Sequence, residues 1–346
     1  MIKPKALKQG DKVAAITLSW GGPGKFPHKY EAGKKQLQET FGVEVVETKH
    51  ALKSPDWINK NPQARAEDLM EAFLDPSIKA IISTIGGDES VRLIPYIDLS
   101  VIKNNPKIFL GYSDTTATHF ACYTAGLTSF YGPSIMAGFA ENCGILPYME
   151  NSIRKTLFET KPIGIVEPNK DGWTVEHLDW SNPDNQNQKR KLRAATGPKL
   201  MQGSGKAQGR LIGGCIEVME MLKATSYWPE LDKWKGAILF IETSEDMPPV
   251  TYFKYWLRNY AAQGILHAIN GIILARPGGQ LNDEQLFQYD IALREIIVDE
   301  LGLTNLPIMT QMDFGHTDPM FVIPYGVMAE IDCDNKHFSI LESGVE

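Results

Sequence analysis

Cysteine is scarce in this chain and forms no recognisable motif. Four cysteines occur in 346 residues, with no Cys-x-x-Cys pair and no zinc-ligand spacing with a histidine. Their neighbours in the sequence are apolar or small, so we expect buried free thiols and no metal site. The four residues are Cys122, Cys143, Cys215 and Cys333.

Basic charge and long apolar runs are also lacking. The formal net charge is −7, which disfavours nucleic acid as a partner because phosphate binding needs a basic face. The one basic run, 189–193, is short and is interpreted as a solvated loop. No run approaches the ~18 apolar residues of a membrane span, and Met1–Lys5 contains no apolar core of a signal peptide. These absences predict a cytoplasmic protein with no membrane partner.

What the chain does contain is a regular alternation of apolar runs with helix-length segments. The N-terminal strands are predicted at 12–18, 42–48, 78–84, 107–113 and 128–134. The segment 62–75 between them has its apolar residues at helical spacing. Strands separated by helices indicate βαβ units and a parallel sheet, so we predict an α/β fold. Ligands bind such sheets at the carboxyl ends of the strands, where Ser19, Gly86–Gly87 and Ser113 fall.

A polar stretch at 176–209 separates this part from a second α/β region. The stretch is rich in Asn, Gln, Gly and Lys and too long for an ordinary connection, so we expect it to be functional or mobile. The later strands are predicted at 236–243, 271–277 and 306–313, followed by an antiparallel pair within 320–342. We therefore predict an N-terminal domain at 1–165, a linker and long loop at 166–208, and a C-terminal domain at 209–346.

The stretch FLGYSDTTATHF, 109–120, ends a predicted strand at a glycine and restarts as a helix. Ser113 stands at the bend, where serine is a favoured N-cap, but it also has the position of a nucleophile. A nucleophile needs a base, an orienting acid and oxyanion donors. The N–H of Asp114 at the helix N-terminus would supply one donor, and Gly86 or Gly87 after the neighbouring strand would supply the other. Both interpretations of Ser113 stay open on its position alone.

A candidate base and a candidate acid follow two further strands. His316 lies in DFGHTDP, in a strand-end loop that would present its side chain to a cleft, whereas His119 is interpreted as a packed residue. Glu242 ends the apolar run AILFIE, and a carboxylate there is more often a partner than a surface charge. Glu245 and Asp246 are assigned to capping of the next helix.

The order Ser, Glu, His also occurs in α/β-hydrolases. Their G-x-S-x-G elbow is absent here, because Thr115 occupies its last position.

Four motifs together resemble the LD-carboxypeptidase family of serine peptidases over nearly the whole chain. They are GYSDTTA with Ser113, LIGGCIEVMEMLKAT at 211–225, LFIETSED with Glu242 and DFGHTDP with His316. Within the family, IGGDES at 85–90 and the long loop with Trp180 look more like the microcin C self-immunity peptidases. The resemblance implies a flavodoxin-like N-terminal domain and a C-terminal α/β domain with swivelling-barrel-like strands.

The resemblance also implies a Ser-Glu-His triad between the two domains. Ser113 would attack, His316 would act as the general base, and Glu242 would orient it. The implied oxyanion donors are the N–H groups of Asp114 and of Gly86 or Gly87. A homodimer is implied as well, with no metal or other cofactor.

The substrate implied by the immunity peptidases is an amide that joins an aspartyl residue to a modified nucleotide. Trp180 is expected to stack on the nucleobase, and Asp88 is assigned to substrate binding. Trp173 is the rival aromatic, but its setting in DGWTVE looks more structural.

Two other functions remain open. An LD-carboxypeptidase would release the terminal D-alanine from murein tetrapeptides, but the long 176–209 loop favours a larger substrate. A two-domain binding protein without chemistry is the alternative of another class, and it would not need Glu242 and His316 at two strand ends.

Overall fold

The computed structural model describes all residues of the protein, 1–346, which form two sheets covered by helices. The strands are β1 (Lys12–Ile16), β2 (Glu44–Glu47), β3 (Ile78–Ser83), β4 (Ile108–Gly111), β5 (Phe130–Tyr131), β6 (Gly164–Ile165), β7 (Lys199–Gln202), β8 (Lys206–Cys215), β9 (Ile238–Glu242), β10 (Gly271–Ala275), β11 (Ile308–Met312), β12 (Ile323–Pro324), β13 (Met328–Asp332) and β14 (His337–Ile340).

The helices lie mainly between consecutive strands. The α-helices are α1 (Gly22–Lys25), α2 (Pro27–Phe41), α3 (Pro55–Lys60), α4 (Pro62–Leu74), α5 (Leu99–Asn104), α6 (Thr116–Thr124), α7 (Pro147–Ile153), α8 (Ile216–Leu222), α9 (Leu231–Trp234), α10 (Val250–Ala262), α11 (Ile265–Ala268) and α12 (Asp283–Arg294). Short 3₁₀ helices occur at Ser90–Tyr96, Ser113–Thr115 and Pro183–Asn187, and π-helical turns at Arg154–Phe158 and Glu295–Glu300.

Local sequence signals set several helix boundaries. The α12 helix begins with a capping box in which Asn282 and Gln285 each bind the other's backbone N–H. A proline occupies the first position of α4, where its missing N–H costs nothing. Gly42 ends α2 with a left-handed φ of 69°, which only glycine adopts without strain. None of the helices is both long and apolar enough to span a membrane.

The first sheet confirms the prediction of a flavodoxin-like parallel domain. Its order is β12-β5-β4-β3-β1-β2, and the five strands β1 to β5 are parallel. Read from β2, this is the 2-1-3-4-5 order of doubly wound folds, whose ligands bind outside the carboxyl ends of the strands. The carboxyl ends of β3 and β4 thus place the segments that follow them side by side.

The second sheet has eight strands and curls into a half-barrel. Its centre, β8 to β11, is parallel. On one side β7 pairs antiparallel with β11, and on the other the tail strands β13 and β14, followed by β6, add in antiparallel fashion. The predicted antiparallel tail is therefore present. Glu242 ends β9 in the parallel centre, and the loop after β11 carries His316.

The two sheets share an apolar core. Tyr131, Phe240 and Tyr325 come from both sides of the interface, and the Phe240 ring lies 5.7 Å from Tyr131 and 5.0 Å from Tyr325. In addition, β12 pairs with β5, so a segment from the later part of the chain completes the first sheet. A dry, aromatic interface of this kind holds the strand ends of the two sheets in a defined relation.

Several sequence predictions differ from the structure in detail. The strand predicted at 128–134 is only two residues long, since Gly132-Pro133 ends it and proline cannot donate to the ladder. The polar stretch 176–209 is not a continuous loop, because β7 lies inside it and pairs with β11. Cys143 is exposed, so the expectation of four buried thiols was wrong for this one, although all four cysteines are free.

Candidate active site

Ser113 lies at a strained bend between β4 and α6. Its φ is +62°, a left-handed conformation that is costly for a residue with a side chain and is found mostly at functional sites. Gly111 permits the bend, because a Cβ there would lie 2.9 Å from Thr115 Oγ1 and 3.0 Å from Ser83 Cβ. The Ser113 side chain caps neither of the helical segments that follow. The interpretation of Ser113 as an N-cap was therefore wrong.

The structure brings Ser113, His316 and Glu242 into one chain of contacts. His316 Nε2 lies 3.0 Å from Ser113 Oγ, and His316 Nδ1 lies 2.6 Å from Glu242 Oε2. Gly315 makes the second contact possible, because a Cβ on it would lie 2.7 Å from Glu242 Cδ. Glu242 is fully buried at the end of β9. Burial lowers the pKa of His316, but the carboxylates of Glu242 and Glu245 outweigh it and raise this pKa well above its usual value.

Tyr131 connects the nucleophile to the acid and was missed by sequence reasoning. Its hydroxyl donates to Glu242 Oε1 and accepts the backbone N–H of Ser113 at 3.0 Å. Burial, together with Glu242, raises the pKa of Tyr131 well above its usual value, so the hydroxyl keeps its proton. The sequence marked Tyr131 only as part of the strand predicted at 128–134, and no motif pointed to it.

Gly86 lies against the nucleophile, on the loop after β3. A Cβ on Gly86 would lie 2.9 Å from Ser113 Oγ and 3.5 Å from the backbone nitrogen of Asp114. Gly87 faces away from this point, because a Cβ there would lie 2.2 Å from Ser19 Oγ. Because Gly86 has no side chain, the backbone of this loop can lie close to Ser113 Oγ. The backbone donors of an oxyanion hole must lie this close to the nucleophile.

The Asp114 side chain ties this loop to the bend. Its buried carboxylate accepts the N–H groups of Glu89 and Ser90 at 3.0 and 2.8 Å, and the Ser90 hydroxyl donates to the Asp114 carbonyl at 2.6 Å. Burial raises the pKa of Asp114. Asp114 therefore holds the glycine loop and the nucleophile bend in register.

Glu245 was assigned to helix capping, and that prediction was wrong. The cap position of α10 is Pro249, and the Glu245 carboxylate instead forms an ion pair with His316 Nε2 at 3.0 Å. The positive charge of His316 lowers the pKa of Glu245 to about 2. Sequence spacing favoured a cap because acidic residues are common just before helices. Only the folded position of His316 shows the contact.

His119 packs in the core, as the sequence predicted. Its ring stacks on Tyr325 at 4.8 Å, and its two nitrogens bind Ser129 Oγ and the Gly111 carbonyl at 2.9 Å each. Burial lowers the pKa of His119 to about 3. This histidine is therefore neutral and has no nitrogen left for Ser113.

A cavity of about 550 Å³ opens beside Ser113, which is the size expected for a small-molecule site. Its lining includes Gly86, Ser113 and His316 on one side and the 176–190 segment with Trp180 on the other. Asp88 is exposed and does not line the cavity. No group of three or more histidine, cysteine or carboxylate side chains is arranged to hold a metal ion.

Trp180 packs against the N-terminal domain. Its ring lies 6.0 Å from Phe26 in an edge-to-face arrangement, and Lys29 Nζ lies 5.4 Å from the ring centroid. Lys29 also donates to Gln186 at 3.0 Å, so it fastens the long loop at two points. Trp173, by contrast, is buried between the guanidinium groups of Arg193 and Arg276.

The basic run at 189–193 is not simply a solvated loop, and that interpretation was wrong for its two arginines. Arg190 lines the cavity and binds Glu141 and Asp318, the latter at 2.7 Å. Arg193 donates to the Leu281 carbonyl at 2.6 Å. Charge-paired arginine is favoured in such half-buried positions because its planar group satisfies several acceptors at once. The two lysines of the run are exposed.

Known proteins are similar to this chain along its whole length. Residues 13–132 match the family model of the LD-carboxypeptidase N-terminal domain, and residues 208–331 match that of the C-terminal domain. A putative carboxypeptidase of Vibrio cholerae is 31% identical and covers 100% of this chain and 99% of its own. The microcin C7 self-immunity protein MccF of Escherichia coli is 31% identical over 97% of this chain and 94% of its own. Among solved structures, an MccF-like protein from Streptococcus pneumoniae in complex with AMP superposes with a TM-score of 0.86. It is 33% identical and covers 96% of this chain and 99% of its own.

Proposed function

Because the chain belongs to the LD-carboxypeptidase family, we propose that it is a serine peptidase or amidase that hydrolyses the amide between an aminoacyl group, such as aspartyl, and a nucleotide. The family is one of peptidases, so the general activity is that of a hydrolase. The serine mechanism and the substrate are the proposed parts.

One observation carries the mechanism: Ser113, His316 and Glu242 touch in sequence, with Oγ–Nε2 and Nδ1–Oε2 distances of 3.0 and 2.6 Å. In the acylation step His316 takes the Ser113 proton while Oγ bonds to the amide carbon. The protonated His316 then gives this proton to the leaving nitrogen as the carbon–nitrogen bond breaks. Water, deprotonated by the same histidine, then attacks the acyl ester, and His316 returns the proton to Ser113 Oγ as the carbon–oxygen bond of the ester breaks. Glu242 holds the ring and stabilises its charge throughout.

The oxyanion that develops on the substrate is stabilised by backbone donors. We assign two donors to it: the N–H of Asp114 and an N–H of the glycine loop at Gly86 or its neighbour Gly87. The closeness of a Gly86 Cβ position to both Ser113 Oγ and the Asp114 nitrogen supports this assignment. Donors fixed in the backbone cost no reorganisation during the reaction.

The nucleotide part of the substrate is assigned to the side of the cavity formed by Trp180. An aromatic ring that stacks on a base contributes about 1–3 kcal/mol. Trp180 and Ser113 line the same cavity, which supports a substrate that reaches from one to the other. The complex of the Streptococcus pneumoniae relative with AMP supports the same ligand class. Asp88, which is exposed and lies next to Gly87 in the sequence, stays a prediction as a substrate contact.

The alternative, release of D-alanine from murein tetrapeptides, requires a cation for the terminal carboxylate. The cavity lining contains one arginine, Arg190, and no lysine. Arg190 already binds Glu141 and Asp318. A carboxylate terminus would have to displace one of these acids, and so would the aspartyl carboxylate of the nucleotide amide, so Arg190 does not separate the two substrates. The cavity reaches from Ser113 to Trp180, which favours a substrate with an aromatic base at its far end.

The test is hydrolysis of an aspartyl-sulfamoyl-adenosine and a murein tetrapeptide side by side, with Ser113→Ala as control. Preferential cleavage of the adenosine compound, abolished in the variant, is expected. Cleavage of the tetrapeptide alone would replace the proposal with cell-wall recycling, and equal activity of the variant would refute the serine mechanism. We also propose that the protein is a cytoplasmic homodimer. Light scattering tests the homodimer, which should have twice the mass of one chain.

A further inference from the structure

We propose that a cavity at the amino ends of β1, β3 and β4 binds the phosphate group of a small polar phosphate ester through Lys107 and two neighbouring lysines. The cavity measures about 530 Å³, which is within the range of small-molecule sites. Its lining includes Asp11 just before β1, Ile78 at the start of β3 and Lys107 just before β4. Ser113 follows the opposite end of β4, so this is a second site and it stands apart from the proposed function.

Positive charge is concentrated in the lining of this cavity. Four lysines and two acids line it, in a chain whose formal net charge is −7. A concave surface with an excess of one charge focuses its field on a ligand of the opposite charge. The lining thus favours an anion. The lysines are Lys5, Lys8, Lys79 and Lys107, and the acids are Asp11 and Glu346.

Both acids already have partners in the protein. Asp11 accepts the backbone N–H of Lys8 at 2.8 Å, and Glu346 forms an ion pair with Lys5 at 3.4 Å. These contacts leave three of the four ammonium groups without an ion pair.

The three ammonium groups have N–H donors to spare. Lys79 Nζ donates to the Pro76 carbonyl at 2.7 Å, and Lys107 Nζ donates to the Asp75 carbonyl. The Lys8 ammonium makes no hydrogen bond to the protein. Since an ammonium group has three N–H donors, each of these lysines keeps at least two for a ligand.

Lys107 distinguishes this cavity from a patch of surface lysines, because it is only 7% exposed. Burial lowers the pKa of Lys107 to about 8; the charge of Lys79 lowers it further, and the Asp75 carboxylate opposes both. Lys79 and Lys107 are neighbours because the residues that follow them, Ala80 and Ile108, pair across β3 and β4. A buried ammonium group beside a like charge is stabilised by an anion that binds both.

The lining also indicates what the phosphate is attached to. It contains no aromatic ring on which a base could stack, and its uncharged side chains include those of Asn105 and Thr160. The cavity is larger than a phosphate ion alone requires. A small polar ester, such as a glycerol or sugar phosphate, therefore fits better than a nucleotide.

The experiment measures binding of glycerol 3-phosphate and of inorganic phosphate by titration calorimetry. The proteins are the wild type, Lys107→Met, Lys79→Met and the control Lys103→Met, which removes an exposed lysine outside the lining. The wild type is expected to bind glycerol 3-phosphate more tightly than inorganic phosphate. Loss of Lys107 or of Lys79 should weaken this binding at least about 10-fold, the usual range for a hydrogen bond between charged groups. Lys103→Met should bind like the wild type.

A second titration uses sulfate, whose charge does not change near neutral pH. The anion binds the protonated form of Lys107, which is present below its pKa and is lost above it. The sulfate affinity of the wild type should therefore fall about 10-fold from one pH unit below this pKa to one unit above it. Exposed lysines titrate near pH ~10.4 and would leave the affinity almost constant over this range. Lys107→Met should abolish the pH dependence.

Several outcomes would overturn the proposal. Absence of binding of all three anions refutes the site, as does a Lys107→Met protein that binds them like the wild type. A sulfate affinity that stays constant with pH refutes the role of Lys107, and this measurement, with Lys79→Met, decides the matter if Lys107→Met does not fold. Equal affinity for inorganic phosphate and glycerol 3-phosphate would refute the ester and leave the free ion as the ligand.

Discussion

Replacement of Tyr131 by phenylalanine tests the link between nucleophile and acid. The hydroxyl donates to a fully buried, charged carboxylate and accepts the Ser113 N–H at 3.0 Å. A hydrogen bond to a charged group contributes ~1.5–3 kcal/mol and a neutral one ~1 kcal/mol. Tyr131→Phe should therefore lower the free energy of unfolding by about 2–4 kcal/mol, which a typical domain survives. If the full free energy of the Tyr131–Glu242 hydrogen bond stabilises the transition state, its loss should lower kcat about 10- to 100-fold.

The assay pairs steady-state kinetics with urea unfolding, and Tyr227→Phe is the control. Tyr227 is also buried, and its hydroxyl donates to the Ile94 carbonyl at 3.3 Å, away from the site. The control should lose some stability but keep its kcat. A Tyr131→Phe enzyme whose kcat stays within twofold of the wild type, or falls no more than that of the control, would refute the reasoning.

Three further predictions concern the base, the oxyanion side and the long loop. The carboxylates of Glu242 and Glu245 raise the pKa of His316, and a general base must be unprotonated to work. The value of kcat/KM should therefore fall as the pH decreases through a pKa above that of ordinary histidine. Glu245→Gln removes one of the two charges and should shift this fall to lower pH. Gly86→Ala places a Cβ 2.9 Å from Ser113 Oγ and should reduce kcat about 100-fold with little change in thermal midpoint. Lys29→Met removes an amine that donates to three oxygen atoms, so KM for the nucleotide substrate should rise and protease should cleave the loop faster.

The first and third of these predictions have matched control variants, and the second has an outcome that would contradict it. The pH profile of Asp246→Asn should match that of the wild type, and a Glu245→Gln profile that does not move would contradict the first prediction. Wild-type kcat in Gly86→Ala would exclude the Gly86 side from the oxyanion hole. Lys35→Met removes an exposed amine from the same helix as Lys29 and should leave loop cleavage and KM unchanged.

Much of the N-terminal sheet could be predicted from the sequence because its signals are local. The apolar runs that form β1, β3 and β4 are continuous, as buried parallel strands require, and helix-length segments separate them. The carboxyl ends of β3 and β4 then place the glycine loop and Ser113 at one edge. Strand β5 was over-predicted, since Gly132-Pro133 limits it and its partner β12 lies almost 200 residues further along the chain.

Residue type and strand-end position also singled out Ser113, Glu242 and His316 from the sequence. Sequence alone left Ser113 between a cap and a nucleophile, because both occupy the same position before a helix. The φ of +62° and the contact with His316 Nε2 distinguish them, and both are properties of the folded chain.

The sequence by itself determined the alternation of strands and helices and the types of residue at the strand ends, because hydrophobic period and turn chemistry act over a few residues. Only the tertiary structure decided which side chains meet. Tyr131 bridges to Glu242 across 111 positions, and His316 reaches Ser113 across 203. Glu245 reaches the base instead of capping α10, and Arg190 pairs with acids instead of facing solvent. Such contacts depend on how two sheets pack, and packing depends on the shape of the whole core, which no short stretch of sequence records.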